Sequence, residues 1–370
     1  MNRRVSFGSL VLLFAAAACV YAQQGFSGRP EIKSVTVSPI SFNPSKGETA
    51  SLGYQLAGPA KVRICVYDAD NGLIRELVAW APRDAGTNGD KWDGRDKSGA
   101  IVPDEAYFFT IEAGDKTGKV HVFDPTTFSG GDEIEIAGVT YDRQAGVARF
   151  QLDRPSRVLV RAGISGGPLI KTLIDWVALS PSAQSVSWDG KDEDDIAEVG
   201  QRDDLKFYAI GFLLPQASVI ATGNSLTDYS AYKRQIGRQQ PLKPERPSQT
   251  RRVPISDHWE RLRYEDRAIR LSVRPVGNVE LSPAGAAIVS GTCKALVEVH
   301  ADDLPGLRRD RYEVIAYVDM LPLVEGEQGR SPYTLDWDTS KLAPGEHILT
   351  INVATASDRV GTTSMKVLVR

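Results

Sequence analysis

Hydrophobic and polar residues alternate in period two along many short stretches of the chain, the pattern of strands with one face buried and one face wet. In Lys61–Val62–Arg63–Ile64–Cys65–Val66–Tyr67, Val62, Ile64 and Val66 point one way and Lys61, Arg63, Cys65 and Tyr67 the other. Asp70–Asn71–Gly72 then predicts a hairpin turn, because Asn and Gly tolerate positive φ, and Leu73–Ile74–Arg75–Glu76–Leu77 returns. Tyr107–Phe108–Phe109–Thr110–Ile111 reads as a later aromatic strand. The same patterning marks 157–161, 207–212, 294–300 and 314–319. Only Ser256–Asp257–His258–Trp259–Glu260–Arg261–Leu262–Arg263 reads as a helix, short and capped by Ser256.

One offset recurs in this pattern: Trp80 to Trp176 and Trp92 to Trp188 are each 96 residues apart (176 − 80 and 188 − 92). The same shift lays Tyr54–Gln55–Leu56 on Phe150–Gln151–Leu152, Leu73–Ile74–Arg75 on Leu169–Ile170–Lys171, and Trp92–Asp93–Gly94 on Trp188–Asp189–Gly190. A unit near ~100 residues built of alternating strands predicts an immunoglobulin-like sandwich, present twice. The late strand of the second copy falls about five residues beyond the offset, which places an insertion between Asp192 and Asp204.

With Phe42–Asn43–Pro44, Tyr54–Gln55–Leu56, Val66–Tyr67–Asp68, Gly72, Leu77 and Trp92–Asp93–Gly94–Arg95–Asp96–Lys97–Ser98–Gly99 in order, residues 32–122 resemble the Ig-like module of the flagellar hook-capping protein, the FlgD type. Residues 127–223 resemble it a second time. The family continues Pro-Ser-Gly-x-Tyr, whereas this chain has Pro103–Asp104–Glu105–Ala106–Tyr107, without the Gly. The resemblance implies a sandwich fold and not hook assembly, since fold alone does not carry function. Residues 268–370, with Ser331–Pro332–Tyr333–Thr334–Leu335–Asp336–Trp337–Asp338, look like Ig-like modules appended to bacterial surface proteins and polysaccharide-active enzymes. The expectation is an all-β chain of three consecutive Ig-like or fibronectin-like sandwiches, the first two an internal repeat.

The start of the chain changes where this fold is expected to work. Arg3 and Arg4, the apolar run 10–18 and Val20–Tyr21–Ala22 predict a signal peptide over residues 1–22 and an exported protein, periplasmic, cell-surface or extracellular. The apolar run falls short of the ~20 residues of a membrane span. Cys19 permits a lipid anchor instead, but the Leu usual three positions before such a cysteine is missing, which favours soluble export. Past Ala22 only Cys65 and Cys293 remain, in different sandwiches, so two strand-borne thiols are expected rather than a disulfide.

Composition is average, and a net charge of −3 from 44 basic and 47 acidic side chains gives no bulk electrostatic case for nucleic acid. Residues 224–267 differ: Pro241, Pro244, Pro247 and Pro254 stand among Lys233, Arg234, Lys243, Arg246, Arg251 and Arg252, which reads as an extended basic tether able to hold an acidic partner. Four scattered histidines, with no His-Glu-x-x-His or Cys-x-x-Cys spacing, leave zinc and histidine catalysis without their parts, and the chain reads as no enzyme. Asp189, Asp192, Asp194 and Asp195 crowd one loop and are the candidates for calcium, the single cofactor considered, against the plainer role of tying turns. Trp92, Trp188 and Trp337 are expected in the cores. Trp80, Trp176 and Trp259, with Arg251 and Arg252, are the candidates for contact with another envelope protein or a polysaccharide. The function expected is that of spacer and docking modules in a larger assembly; the alternative is a carbohydrate-binding accessory protein.

Overall fold

A computed structural model describes residues 32–114, 118–236, 240–249, 253–263, 265–308 and 310–370. The expected signal peptide, Cys19, Arg251 and Arg252 lie outside these residues. The first sandwich contains β1 (Ile32–Ser38), β2 (Ser41–Phe42), β3 (Ala50–Leu56), β4 (Ala60–Tyr67), β5 (Leu73–Arg83), β6 (Gly86–Trp92), β7 (Glu105–Gly114) and β8 (Val120–Phe123). The second contains β9 (Glu133–Glu135), β10 (Thr140–Asp142), β11 (Val147–Leu152), β12 (Ser156–Ile164), β13 (Leu169–Leu179), β14 (Ser182–Ser187) and β15 (Leu205–Leu213), and is followed by β16 (Ser218–Ala221). The third contains β17 (Leu271–Pro275), β18 (Ala287–Val289), β19 (Thr292–Val299), β20 (Tyr312–Val318), β21 (Leu321–Gly326), β22 (Tyr333–Asp338), β23 (Gly345–Thr355) and β24 (Val360–Val369).

Each unit faces a three-stranded sheet against a larger one, so the fold is all-β and of the Ig-like sandwich type. The small sheets run β1-β3-β6, β10-β11-β14 and β17-β19-β22; the large ones run β2-β16-β7-β4-β5, β13-β12-β15-β9 and β18-β24-β23-β20-β21. The repeat is visible in the strands themselves: β13 starts and ends 96 residues after β5, while β15 starts 205 − 105 = 100 residues after β7, past the acidic insertion.

One connection departs from three beads on a string. β16, which follows the second sandwich, returns to the first, where Ser218–Ala221 pairs antiparallel with Phe108–Glu105 and Ile220–Ala221 runs parallel to Ser41–Phe42. In the other direction, the chain leaving β8 sends β9 to pair with β15 of the second sandwich, Glu133 opposite Phe212. The two copies have exchanged their last strand positions. Val219 and Ala221 consequently belong to the core around Trp92, as does Tyr232 of the helix α1 (Tyr229–Ile236) that follows.

Trp92, Trp188 and Trp337 are buried as expected. Trp92 sits among Phe42, Tyr107 and Phe109, with ring centroids 5.2–6.1 Å away, and Trp188 packs on Tyr141 and Phe207. Two bonds of the first turn recur in the second: Trp92 Nε1 donates to Arg95 O at 3.0 Å and Trp188 Nε1 to Lys191 O at 2.7 Å. Likewise Asp93 accepts from Arg95 N and Asp189 from Lys191 N, each at 3.1 Å. Cys65 is buried in β4 and Cys293 half-buried in β19, both free thiols.

The segment after β16 differs from the extended tether its composition suggests. It forms α1 and then lies along the first two sandwiches as an ordered strap, with Leu73 N donating to Pro241 O at 2.7 Å, Gln249 N to Thr127 O at 2.8 Å and Glu133 N to Pro254 O at 3.1 Å. The expected helix at Ser256–Arg263 is absent and that stretch is a run of turns. The prolines at 241, 244, 247 and 254 disfavour a helix there but suit a strap, whose backbone groups pair with those of the chain's own sandwiches.

Candidate functional site

The strap's cations account for its composition, because most of those described bond to acids of the sandwiches. Lys233 Nζ lies 2.8 Å from Asp68, which is fully buried, Lys243 Nζ 2.7 Å from Asp124, and Arg246 Nη2 2.8 Å from Glu112. Tyr232 of α1 donates to Asp96 Oδ2 at 3.1 Å. Desolvation raises the Asp70 carboxyl, which receives Tyr229 OH at 3.0 Å. These are intramolecular partners for charges that read in the sequence as those of an extended tether.

Where the strap crosses from first to second copy, a buried ion cluster joins all three. Arg157 of β12 donates from Nη2 to Glu105 Oε1 at 2.7 Å and from Nη1 to Oε2 at 2.9 Å, a two-point contact between side chains 5% and 3% exposed. Arg263 of the strap brings its Nε to 3.2 Å from Glu105 Oε2 and donates to Asp175 O at 3.1 Å. Burial acts to raise the Glu105 carboxyl, but the two guanidinium charges and the Arg157 bonds outweigh it and hold it below the ordinary glutamate value. Sequence reasoning singled out neither residue, although a signal existed: Glu105 occupies the position where the resembled family has Gly in Pro-Ser-Gly-x-Tyr.

Beside this cluster a cavity of about 340 Å³ is lined by Asp70, Arg157, His258, Trp259, Arg263 and Asp266, among others. His258 Nδ1 lies 2.9 Å from both Asp266 oxygens, and its ring packs on Trp176 at 4.1 Å between centroids, tilted by 37°. The Asp266 carboxylate thus fixes the imidazole as a lid over the indole.

That lid corrects one expectation. Trp176 is 1% exposed and belongs to an internal cluster with Leu159 and Phe212, against which Trp259 packs half-buried. It touches the chain's own strap, not an outside partner. Trp80 is 40% exposed. Both indoles sit at the same bulge, between β4 and β5 in the first copy and β12 and β13 in the second, with φ of 48° at Trp80 and 52° at Trp176, where the register skips after Val62 and after Val158. What differs is the floor beneath them: Lys61 pairs with Gly114 and Arg63 with Glu112, whereas Arg157 pairs with Phe212 and Leu159 with Ile210. The apolar floor draws His258 and Trp259 of the strap over Trp176, whereas the charged one meets only Arg246 through Glu112 and leaves Trp80 uncovered.

The four acids proposed for calcium do not converge. Asp189 Oδ1 accepts from Lys191 N, Asp192 Oδ1 from Ile196 N and Ala197 N, Asp194 Oδ2 from Ser364 N of the third sandwich, and Asp195 lies 3.9 Å from Lys171 Nζ. Among the described residues no group of three or more His, Cys, Asp or Glu is placed to hold a metal ion. These carboxylates do not fit a calcium ion, which takes six to eight oxygens around one point; they tie turns and dock the third sandwich. Asn352 completes that docking by bonding Leu169 N and O, each at 2.8 Å, and Arg161 reaches Asp358 O at 2.8 Å.

The fold and these contacts define a tandem array of Ig-like, fibronectin-like sandwiches locked into one body. No family model and no curated protein matches the chain. Among solved structures it is similar to fibronectin(III)-like modules of Clostridium thermocellum CbhA, at 11% identity over 91% of this chain and 94% of that one, with a TM-score of 0.20. It is also similar to part of a 1.5-MDa bacterial ice-binding adhesin, at 12% identity over 90% and 96% with a TM-score of 0.19. A tetra-tandem repeat from the extending region of a large adhesion protein gives 13% over 90% and 73%, with a TM-score of 0.17. Scores of this size leave the class to rest on the chain's own sheets.

Proposed function

We propose that the chain is an exported, non-catalytic structural and interaction protein of the cell envelope or extracellular space, whose sandwiches act as spacer and docking surface within a larger assembly. The observation that carries this reading is where the molecule places its polar chemistry. Glu105, Arg157, Arg263, His258 and Asp266 are used to clamp sandwich to sandwich, a design that fixes relative orientation. A spacer needs that rigidity. The repeated blocks around both Trp-Asp-Gly turns support descent of the two copies from a FlgD-type module, put to a use other than hook capping.

Two measurements test it. N-terminal sequencing of the protein from fractionated cells is expected to begin at Gln23 in the periplasmic or extracellular fraction; a full-length product confined to the cytoplasm would refute export. Cross-linking in intact envelopes is expected to join the chain reproducibly to defined neighbours, and an uncross-linked chain would count against the assembly role. The carbohydrate alternative keeps one exposed indole, Trp80, since Trp176 and Trp259 pack inside. Titration calorimetry of envelope polysaccharides with the wild type and Trp80→Ala decides it: heat lost only in the variant favours the alternative.

A further inference from the structure

In each sandwich one strand ends the larger sheet on the same side: β5, β13 and β21. The edge of β13 is covered by the third sandwich through Leu169, Asn352 and Thr362. β5 beyond Leu77 and all of β21 have no strand on their outer side among the described residues. Both carry apolar groups into solvent.

On the first sandwich, Trp80 projects from its bulge over Gly114: a Cβ placed there would meet Trp80 Cζ3 at 3.4 Å and Val120 Cγ2 at 4.0 Å. Val120 and Val122, 46% and 36% exposed, continue this surface along β8. A left-handed backbone costs a non-glycine residue about 1–2 kcal/mol. The bulge imposes it in both copies; in the second it sets Trp176 under the strap, and in the first it leaves Trp80 facing solvent. On the third sandwich, Leu321, Leu323 and Val324 are 70%, 39% and 41% exposed.

We infer that these two surfaces are the two halves of one interface, the β21 edge of one copy of this chain seating on the Trp80–Val120–Val122 surface of the next. Charge decides for a second copy over an unrelated protein. Lys61, opposite Gly114, and Lys33, which lines the same groove as Val120 and Val122, are exposed, and so are Glu325, next to the end of β21, and Glu327 just beyond it. Basic residues rim one apolar patch and acidic residues the other. Pro82 and Pro322 stand in the two edge strands and remove an amide from each, so the contact is between side chains rather than a shared ladder. Unlike halves make a head-to-tail contact, which propagates into open chains instead of closing as a dimer.

The inference rests on the docking role proposed above yet fails separately from it, because envelope neighbours can cross-link to a chain that never binds itself. Sedimentation velocity of the purified full chain is expected to show mass rising with concentration, less so at high salt, as screened rim charges require. Trp80→Ala and Leu323→Asp, both surface changes whose retained fold is checked by an unchanged urea midpoint, are each expected to stay monomeric. Mixed together they are expected to form a one-to-one dimer that grows no further, since each supplies the half the other lacks. A wild type that remains monomeric at every concentration overturns the inference. So does a mixture that fails to pair, which would mean that like patches meet, and so does sugar binding at Trp80 without self-association.

Discussion

Replacing Glu105 by Gln removes a charge from the point where the first sandwich, the second sandwich and the strap meet. The side chain keeps its shape, but Arg157 and Arg263 are left facing each other with Arg157 5% exposed. Removing one partner of a buried pair costs about 3–5 kcal/mol, mostly as an uncompensated buried charge. At about 2–4 °C per kcal/mol for units of 150–250 residues, the first thermal transition should fall by on the order of 10 °C. Arg157→Met should cost less, because Glu105 then keeps Arg263 at 3.2 Å. The pH dependence supplies a second readout. Glu105 is held below its unfolded value of about 4.3, so its contribution is full above that pH and disappears as pH falls through the lower folded value. The wild type should lose this increment on acidification and Glu105→Gln should not. Differential scanning fluorimetry across pH measures both. A shift under about 2 °C at neutral pH, or an Arg157→Met cost larger than that of Glu105→Gln, would refute the reasoning.

Trp176→Ala should cost about 3–5 kcal/mol in urea unfolding, since it empties the space under His258 and Trp259, while Trp80→Ala should cost under about 1 kcal/mol; equal costs would mean the floors beneath the two indoles do not matter. Burial pushes the Cys65 thiol up, so in native protein a disulfide reagent should titrate Cys293 first and reach Cys65 only on unfolding; prompt reaction of both would contradict the packing of β4. The bond from Asp319, at 2.6 Å, raises the His347 imidazole, so this pair stabilises below the ordinary histidine value and its contribution is lost as pH rises through the folded one. Asp319→Asn should therefore lower the His347 midpoint seen by NMR, and an unmoved midpoint would rule the bond out in solution.

The strands and the core tryptophans were legible because alternation and the 96-residue offset are written in side chains that must alternate to bury one face. The turn aspartates were legible for the same reason, each bonding within a few residues. Long-range placement was not. Strands as short as β9 and β16 carry too few positions to declare which sheet they join, so the exchange is set by tertiary packing of Val219 and Ala221. The strap's basic residues read as free because their acids, Asp68, Asp124 and Glu112, are more than a hundred residues away. Trp80 and Trp176 read as equivalent because the 96-residue offset lays one on the other; the differences lie beside them, in Ala79 against Asp175, and across the sheet, in Gly114 and Phe212.

The exchanged strands also impose an order on synthesis. When β7 leaves the ribosome, its Glu105–Phe108 half has no neighbour on one side, and the strand that will cover it lies 218 − 108 = 110 residues downstream. At roughly 5–20 residues per second this open edge persists for about 5–20 seconds, an interval in which unpaired strands invite aggregation. The second sandwich has all its strands once β15 ends at Leu213, so the first, begun earlier, closes after it. A chain arrested before Ser218 would hold a first sandwich unable to finish, and the later module acts as a timer for the earlier one.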